Sequence, residues 1–184
     1  KVLPMYRSLL AATQDPEQRQ ALTEDYGNAL LTLARKAYDA DRYDEATARY
    51  DEAARLDSPK VSVQAKLGRA NVALAQGKGD LAYQGYQSVL QDEPLNPEAR
   101  LYGAKIDLDN YRDTETALQT LTELSTDSVT GAEARLFLAE AYRQLGRPQE
   151  ALEAFERAAG QAPIDKALWL AMADAAQKAK RPDK

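Results

Sequence analysis

The chain of 184 residues carries 24 Lys plus Arg against 29 Asp plus Glu, a net charge of −5, with 44% apolar residues and neither Cys nor His. That length and composition suit an ordinary globular fold with a real core. The acidic balance argues against a dedicated binder of nucleic acid or anionic membrane. The absence of Cys and His removes disulfides, thiolate nucleophiles, imidazole bases and nearly every zinc or haem site, so only carboxylate, Lys or Tyr chemistry stays open.

The first residues, Lys1-Val2-Leu3-Pro4, lack an initiator Met and a signal-peptide pattern, which reads as a chain processed or cut from a longer one. No apolar run approaches the roughly 18–20 residues of a membrane span. Ala is abundant, runs of β-branched residues are nearly absent, and nothing alternates with strand character, so the chain reads as all helix. Ser8 to Pro16 has the form of a helix end with a proline stop. Asp15 then caps a new helix with Pro16 at its first position. That helix is expected to reach about Ala40, with Gly27 as a point of bending or interruption.

From there a pattern recurs. Leu33-Ala34 is followed by Ala46, Tyr50 and Ala53. Leu67-Gly68 is followed by Ala82, Tyr86, Val89 and Pro94, with the middle stretched by two residues at Gln76-Gly77-Lys78-Gly79. Ala104 is followed by Ala117, Leu121 and Leu124. Leu138-Ala139 is followed by Gly146, Pro148, Ala151, Phe155, Ala158 and Pro163, and Trp169 with Met172-Ala173 opens a further copy. The alanines Ala46, Ala82, Ala117 and Ala151 stand 36, 35 and 34 residues apart. Alanine at helical spacing is common, so one copy carries little; four at a near-constant period carry the argument.

The physical reason is close packing of two antiparallel helices. A small residue of the first helix (Ala34, Gly68, Ala104, Ala139, Ala173) faces a small residue of the second, so the axes approach to the lower end of about 8–10 Å. The aromatic one turn later (Tyr50, Tyr86, Phe155) fills the gap toward the next pair. Gly77 and Gly146 cap first helices, Pro148 opens a second one, and Pro94 and Pro163 end second helices.

This pattern resembles the tetratricopeptide repeat, a helix–turn–helix unit of about 34 residues. The resemblance covers residues 27–184 and implies an all-α, right-handed superhelical solenoid of antiparallel helix pairs. Residues 1–26 are expected to hold an N-terminal helix, which resembles the end of a preceding repeat, and the start of the extended helix. Repeats follow at 27–60, 61–96, 97–131 (degenerate) and 132–165, with 166–184 as the first helix of a fifth. Lys180-Arg181-Pro182 echoes the earlier turns, so a further second helix is expected there. Trp169 should pack on the fourth unit, leaving Leu168 or Met172 partly exposed and open to self-association.

No active site emerges. Pairs such as Asp44–Glu45 and Asp92–Glu93 read as solvated helix surface. Asp107, Asp109 and Asp113 lack the glycine and closing Glu of a calcium loop, and Gly77-Lys78-Gly79 lacks phosphate-loop spacing. The expectation is a non-enzyme without cofactor or metal. In a stacked array the first helices line the concave face. One residue after each small residue stand Arg35, Arg69, Lys105, Glu140 and Asp174; two before stand Thr32, Lys66, Tyr102, Phe137 and Ala171. The candidate groove therefore comprises Thr32, Arg35, Lys66, Arg69, Tyr102, Lys105, Phe137 and Glu140. It suits a protein partner with an acidic segment at its N-terminal half and apolar or basic residues further along. The family's known carboxylate clamp is not matched, because Leu31, Arg35, Lys66, Glu98 and Tyr102 stand at its positions. The resemblance implies an interaction scaffold, with a lean toward a bacterial assembly or secretion factor. The rival reading is a regulatory or adaptor segment of a larger protein, such as an envelope or polysaccharide-export component. The compartment is periplasmic or cytoplasmic, with a lean to the periplasm.

Overall fold

The computed structural model describes residues 2–110, 112–159 and 166–180, the side chains of 166–169 excepted. All regular structure among them is helical: α1 (Val2–Ala12), α2 (Pro16–Tyr38), α3 (Tyr43–Ala54), α4 (Pro59–Ala75), α5 (Gly79–Asp92), α6 (Pro97–Asp109), α7 (Thr114–Leu124), α8 (Gly131–Gln144), α9 (Pro148–Ala159) and α10 (Lys166–Ala179). They form two compact units, residues 1–96 with α1 to α5 and residues 97–184 with α6 to α10. Within each, consecutive helices pack as antiparallel pairs, α2 with α3, α4 with α5, α6 with α7 and α8 with α9.

Local chemistry explains the boundaries. Asp15 accepts a bond from the Gln18 backbone N–H at 2.8 Å, and Pro16 opens α2. The helix runs unbroken through Gly27. That glycine does not interrupt it; a Cβ there would stand 2.6 Å from Val61 Cγ1, so its role is to admit α4. Pro148 opens α9, and Pro94 follows the end of α5. Pro163 lies outside the described residues.

The turn inside each pair closes with the same bond. The backbone N–H of Arg42 reaches the carbonyl of Ala37, Lys78 that of Ala73, Arg112 that of Asp107 and Arg147 that of Tyr142, all at 2.8–2.9 Å. This is the six-to-one bond of a Schellman motif. It needs a left-handed residue just before the donor, and Gly77 (φ 71°), Gly146 (φ 69°) and, without a glycine, Asp41 (φ 56°) supply it.

These bonds set a register that corrects the sequence reading of α4. Counting back three residues from Ala37, Ala73, Asp107 and Tyr142 gives Ala34, Ala70, Ala104 and Ala139. The small residue of the second pair is Ala70, not Gly68. Ala70 meets Gly85 of α5, where an added Cβ would stand 2.8 Å from that of Ala70. Gly68 instead lies under the Tyr50 ring of α3, and a Cβ on Gly68 would overlap that ring. The loop at Gly77 absorbs no extra residues; the two-residue offset lies within α4.

The core follows this small-residue plan. In the first unit Leu30, Ala34, Ala37, Ala46 and Ala53 are fully buried, with Tyr26, Tyr50 and Val61 close to it. In the second, Leu101, Leu121 and Ala134 anchor the α6–α8 layer, while Ala139, Ala151, Phe155 and Ala175 join α8, α9 and α10. Arg7, Tyr26 and Glu52 clip α1 to α2 and α3. Arg7 Nε donates to the Tyr26 hydroxyl at 2.8 Å and to Glu52 at 3.0 Å, and Tyr26 donates to the same carboxylate. Burial pushes the Glu52 carboxyl up, but the bonds from Tyr26 and Arg7 outweigh it and hold it below its ordinary range.

Candidate partner-binding surface

Each first helix carries the two positions singled out from sequence, but the register shift in α4 changes which residues are equivalent. Beside Thr32 and Arg35 of α2, the matching α4 positions are Gly68 and Asn71; beside Tyr102 and Lys105 of α6, those of α8 are Phe137 and Glu140. Lys66 and Arg69 leave the column. They face the second helices instead: Arg69 Nε is 2.8 Å from Asp51 of α3, and Lys66 Nζ is 2.6 Å from Asp92 of α5. Together they line a groove of about 540 Å³ walled by α3 and α5 over α4, with Asp44, Asp51, Lys78 and Leu81 at its edges. Asn71, in the place expected for a cation, accepts a bond from the buried Tyr86 hydroxyl at 2.7 Å.

In the second unit the structure brings the expected residues together. Lys105, Leu108 and Asp109 of α6 and Phe137, Glu140, Ala141 and Gln144 of α8 line one pocket of about 250 Å³. Phe137 is half-buried. It packs on Tyr102 with ring centroids 6.1 Å apart, and the Tyr102 hydroxyl donates to both Glu133 oxygens at 3.0 and 3.1 Å. Lys105 Nζ stands 5.6 Å from the Phe137 ring centroid. This is within cation–π range.

The column is not a bare basic stripe. Arg35 pairs with Asp39 at 3.0 Å, Lys105 with Asp109 at 2.5 Å and, in reversed order, Asp174 with Lys178 at 2.9 Å, each one helical turn apart. Glu140 takes two bonds from Arg143 and one from Gln144. The Arg143 bonds hold its carboxyl below the ordinary range against a smaller opposing push from burial. Thr32 spends its hydroxyl on the Asn28 carbonyl at 2.8 Å. The in-helix pairs were legible from their four-residue spacing. The cross-helix partners Asp51 and Asp92, and the pocket residue Leu108, carried no such signal.

At the far end Leu170 is exposed and Met172 half-buried. Leu168 and Trp169, also expected at this end, lie outside the described side chains. Among the described residues no group of three or more carboxylates is gathered as a metal site, and no helix is long and apolar enough to cross a membrane.

A family model described as tetratricopeptide repeat matches residues 31–97 and 103–166. The chain belongs to the tetratricopeptide repeat family. Members of this family generally serve as protein–protein interaction modules on a scaffold that is typically non-catalytic. Human tetratricopeptide repeat protein 21B is 31% identical over 106 residues, which is 58% of this chain and 8% of that protein. The chain thus spans a small fraction of that relative's length. Among solved structures, a MamA protein superimposes with a TM-score of 0.67 at 16% identity, covering 85% of this chain and 84% of the other. A second MamA structure, from AMB-1, gives 0.66 at 21% identity, covering 85% and 88%. At such identities these structures share the tetratricopeptide fold, and the surface residues described above are this chain's own.

Proposed function

We propose that this tetratricopeptide chain is a non-catalytic docking scaffold that holds an extended or short helical segment of a partner protein. The observation that supports this most is the pocket between α6 and α8. There Lys105, Phe137 and Glu140, from successive first helices, surround an apolar floor of Leu108 and Ala141, with Lys105 over the half-buried ring. Tyr102 extends the same surface. In the first unit an acidic partner segment is assigned to the groove of Lys66 and Arg69, where it takes the places of Asp92 and Asp51. Thr32 and Arg35 offer a further polar contact on exposed α2.

Selection of random displayed peptides against the 184-residue chain tests the reading. Peptides are expected that lose binding on Phe137→Leu or Tyr102→Leu, and acidic ones that lose it on Lys66→Glu with Arg69→Glu. Binders indifferent to all four substitutions would place the docking surface elsewhere.

A second reading makes the chain the adaptor segment of a larger protein, in a bacterial assembly, secretion or envelope complex. What favours it is α1, where Val2, Met5 and Leu9 form an exposed apolar stripe beside Leu3, Tyr6 and Leu10, which pack inward. Exposed Leu170 on α10 offers a comparable contact for self-association. Sedimentation at rising concentration separates these: a stripe that serves the chain's own copies shifts it to a dimer, and Met5→Glu or Leu170→Glu reverses the shift.

A further inference from the structure

We propose that the pocket between α6 and α8 receives one basic side chain of the partner segment, arginine best, and that Lys105 is a resident stand-in for it. The inference rests on the reading of this face as a docking surface and names the chemistry that the face selects.

Size comes first. At about 250 Å³ the pocket lies below the range of about 300–1,000 Å³ typical of small-molecule sites, and suits a single long side chain. Its floor is apolar, with Leu108 and Ala141 buried and the Phe137 ring half-buried beside them. An aliphatic stem can lie there while its charged head stays at the rim.

Charge comes next. The rim carries two carboxylates, Asp109 and Glu140, paired with the Lys105 ammonium and the Arg143 guanidinium of their own helices, so an entering acidic side chain finds no unpaired cation there. The chain's own lysine already shows what the ring accepts, since its Nζ lies over Phe137 while bonded to Asp109 at 2.5 Å. A carboxylate has lone pairs enough for more than one donor, so Asp109 and Glu140 can each accept a further bond. Guanidinium fits better than ammonium because its plane stacks on a ring while its fork reaches a carboxylate. The first unit offers no equivalent: Gly68 stands where α8 has Phe137, and it lies under Tyr50.

The reading reverses the expected role of Lys105. If the pocket takes a cation, Lys105 competes for the ring and for Asp109, and removing its charge helps the ligand. If the pocket takes an acidic segment, removing that charge hurts.

The test is a nuclear magnetic resonance titration of the 184-residue chain with capped pentapeptides, Ala-Ala-X-Ala-Ala, where X is arginine, norleucine or glutamate. The signals followed are the Leu108 methyls and the Phe137 ring. The arginine peptide is expected to shift them with an affinity about tenfold above norleucine, and glutamate to leave them in place. Lys105→Met should tighten the arginine peptide several-fold, and Glu140→Gln should weaken it several-fold. Phe137→Leu, which keeps the apolar floor, should remove most of the preference for arginine. Equal binding of norleucine and arginine, or weaker binding of arginine on Lys105→Met, overturns the inference while leaving the docking face standing. Leu108 and Phe137 signals unmoved by the arginine peptide at millimolar concentration overturn it too. The displayed-peptide selection then decides separately whether the face docks anything.

Discussion

Gly68 and Gly103 offer a matched pair of perturbations, because both sit in the interior of a first helix. An ordinary helix-interior Gly→Ala change stabilises by about 0.5–1 kcal/mol, since the unfolded chain loses freedom. At Gly103 nothing lies within 4 Å of the added Cβ, so Gly103→Ala should show that gain. At Gly68 the Cβ overlaps three ring atoms of Tyr50, and Tyr50 is only 6% exposed, so the ring has little room to withdraw. Overpacking of this kind costs about 1–3 kcal/mol. The cost exceeds the gain, and Gly68→Ala should destabilise by about 1–2 kcal/mol. Tyr50→Leu vacates the ring's place, so the double variant should recover most of the Gly68→Ala loss relative to Tyr50→Leu alone, a coupling of about 1 kcal/mol or more. Urea denaturation followed by helical ellipticity measures all four proteins. If Gly68→Ala stabilises as Gly103→Ala does, Gly68 is not beneath Tyr50, and the α4 register set by the turn bonds is refuted.

Other perturbations probe other joints. Gly77→Ala and Gly146→Ala place a Cβ on a left-handed residue and should each cost about 1 kcal/mol although nothing crowds either site, as denaturation midpoints will show. Ala151→Leu should overpack the fully buried joint of α8 and α9 by about 1–3 kcal/mol; unchanged melting would contradict that joint. The Glu52 carboxyl titrates lower folded than unfolded, so its clip with Arg7 and Tyr26 contributes fully above the ordinary glutamate value and is lost as pH falls through the folded one. Glu52→Gln should therefore lower stability at neutral pH and flatten its decline below about pH 5, read from denaturation at a series of pH values.

The helix pairing was legible because it is written in local chemistry: a small residue every 34 to 36 positions, a glycine or its stand-in at each turn, a proline at helix ends. The register inside α4 was not, because Leu67-Gly68 imitates Leu33-Ala34 two positions too early. The bond from Lys78 to Ala73 and the contact of Ala70 with Gly85 identify Ala70 as the packing residue. Gly27 misled in the same way, since a glycine that admits a neighbour and one that breaks a helix look alike until Val61 is in place. For the surface, the second unit was legible because Tyr102, Lys105, Phe137 and Glu140 kept their register. Lys66 and Arg69 were misplaced by the α4 shift, and their partners Asp51 and Asp92 come from helices that sequence spacing does not connect.

The self-pairing of the first-helix charges bears on how a partner gains affinity. Exposed pairs such as Arg35–Asp39 contribute about 0–1 kcal/mol each, so a ligand that replaces one carboxylate with its own exchanges like for like and gains little. On the proposed reading, charge at these positions selects among partners and speeds encounter, and binding strength comes from elsewhere. The second unit has a source for it, since the half-buried Phe137 stands beside the buried Leu108 and Ala141. The equivalent place in the first unit is filled by Gly68 under Tyr50, and the groove there is lined by charged and polar residues together with Val72, the exposed Leu81 and alanines. On the proposed reading each unit would contribute by its own chemistry: the ring of the second would anchor a segment, and the exchangeable pairs of the first would discriminate. A partner whose affinity falls steeply on Phe137→Leu and whose salt dependence follows Lys66 and Arg69 has the profile that this division requires, and one with the reverse profile refutes it.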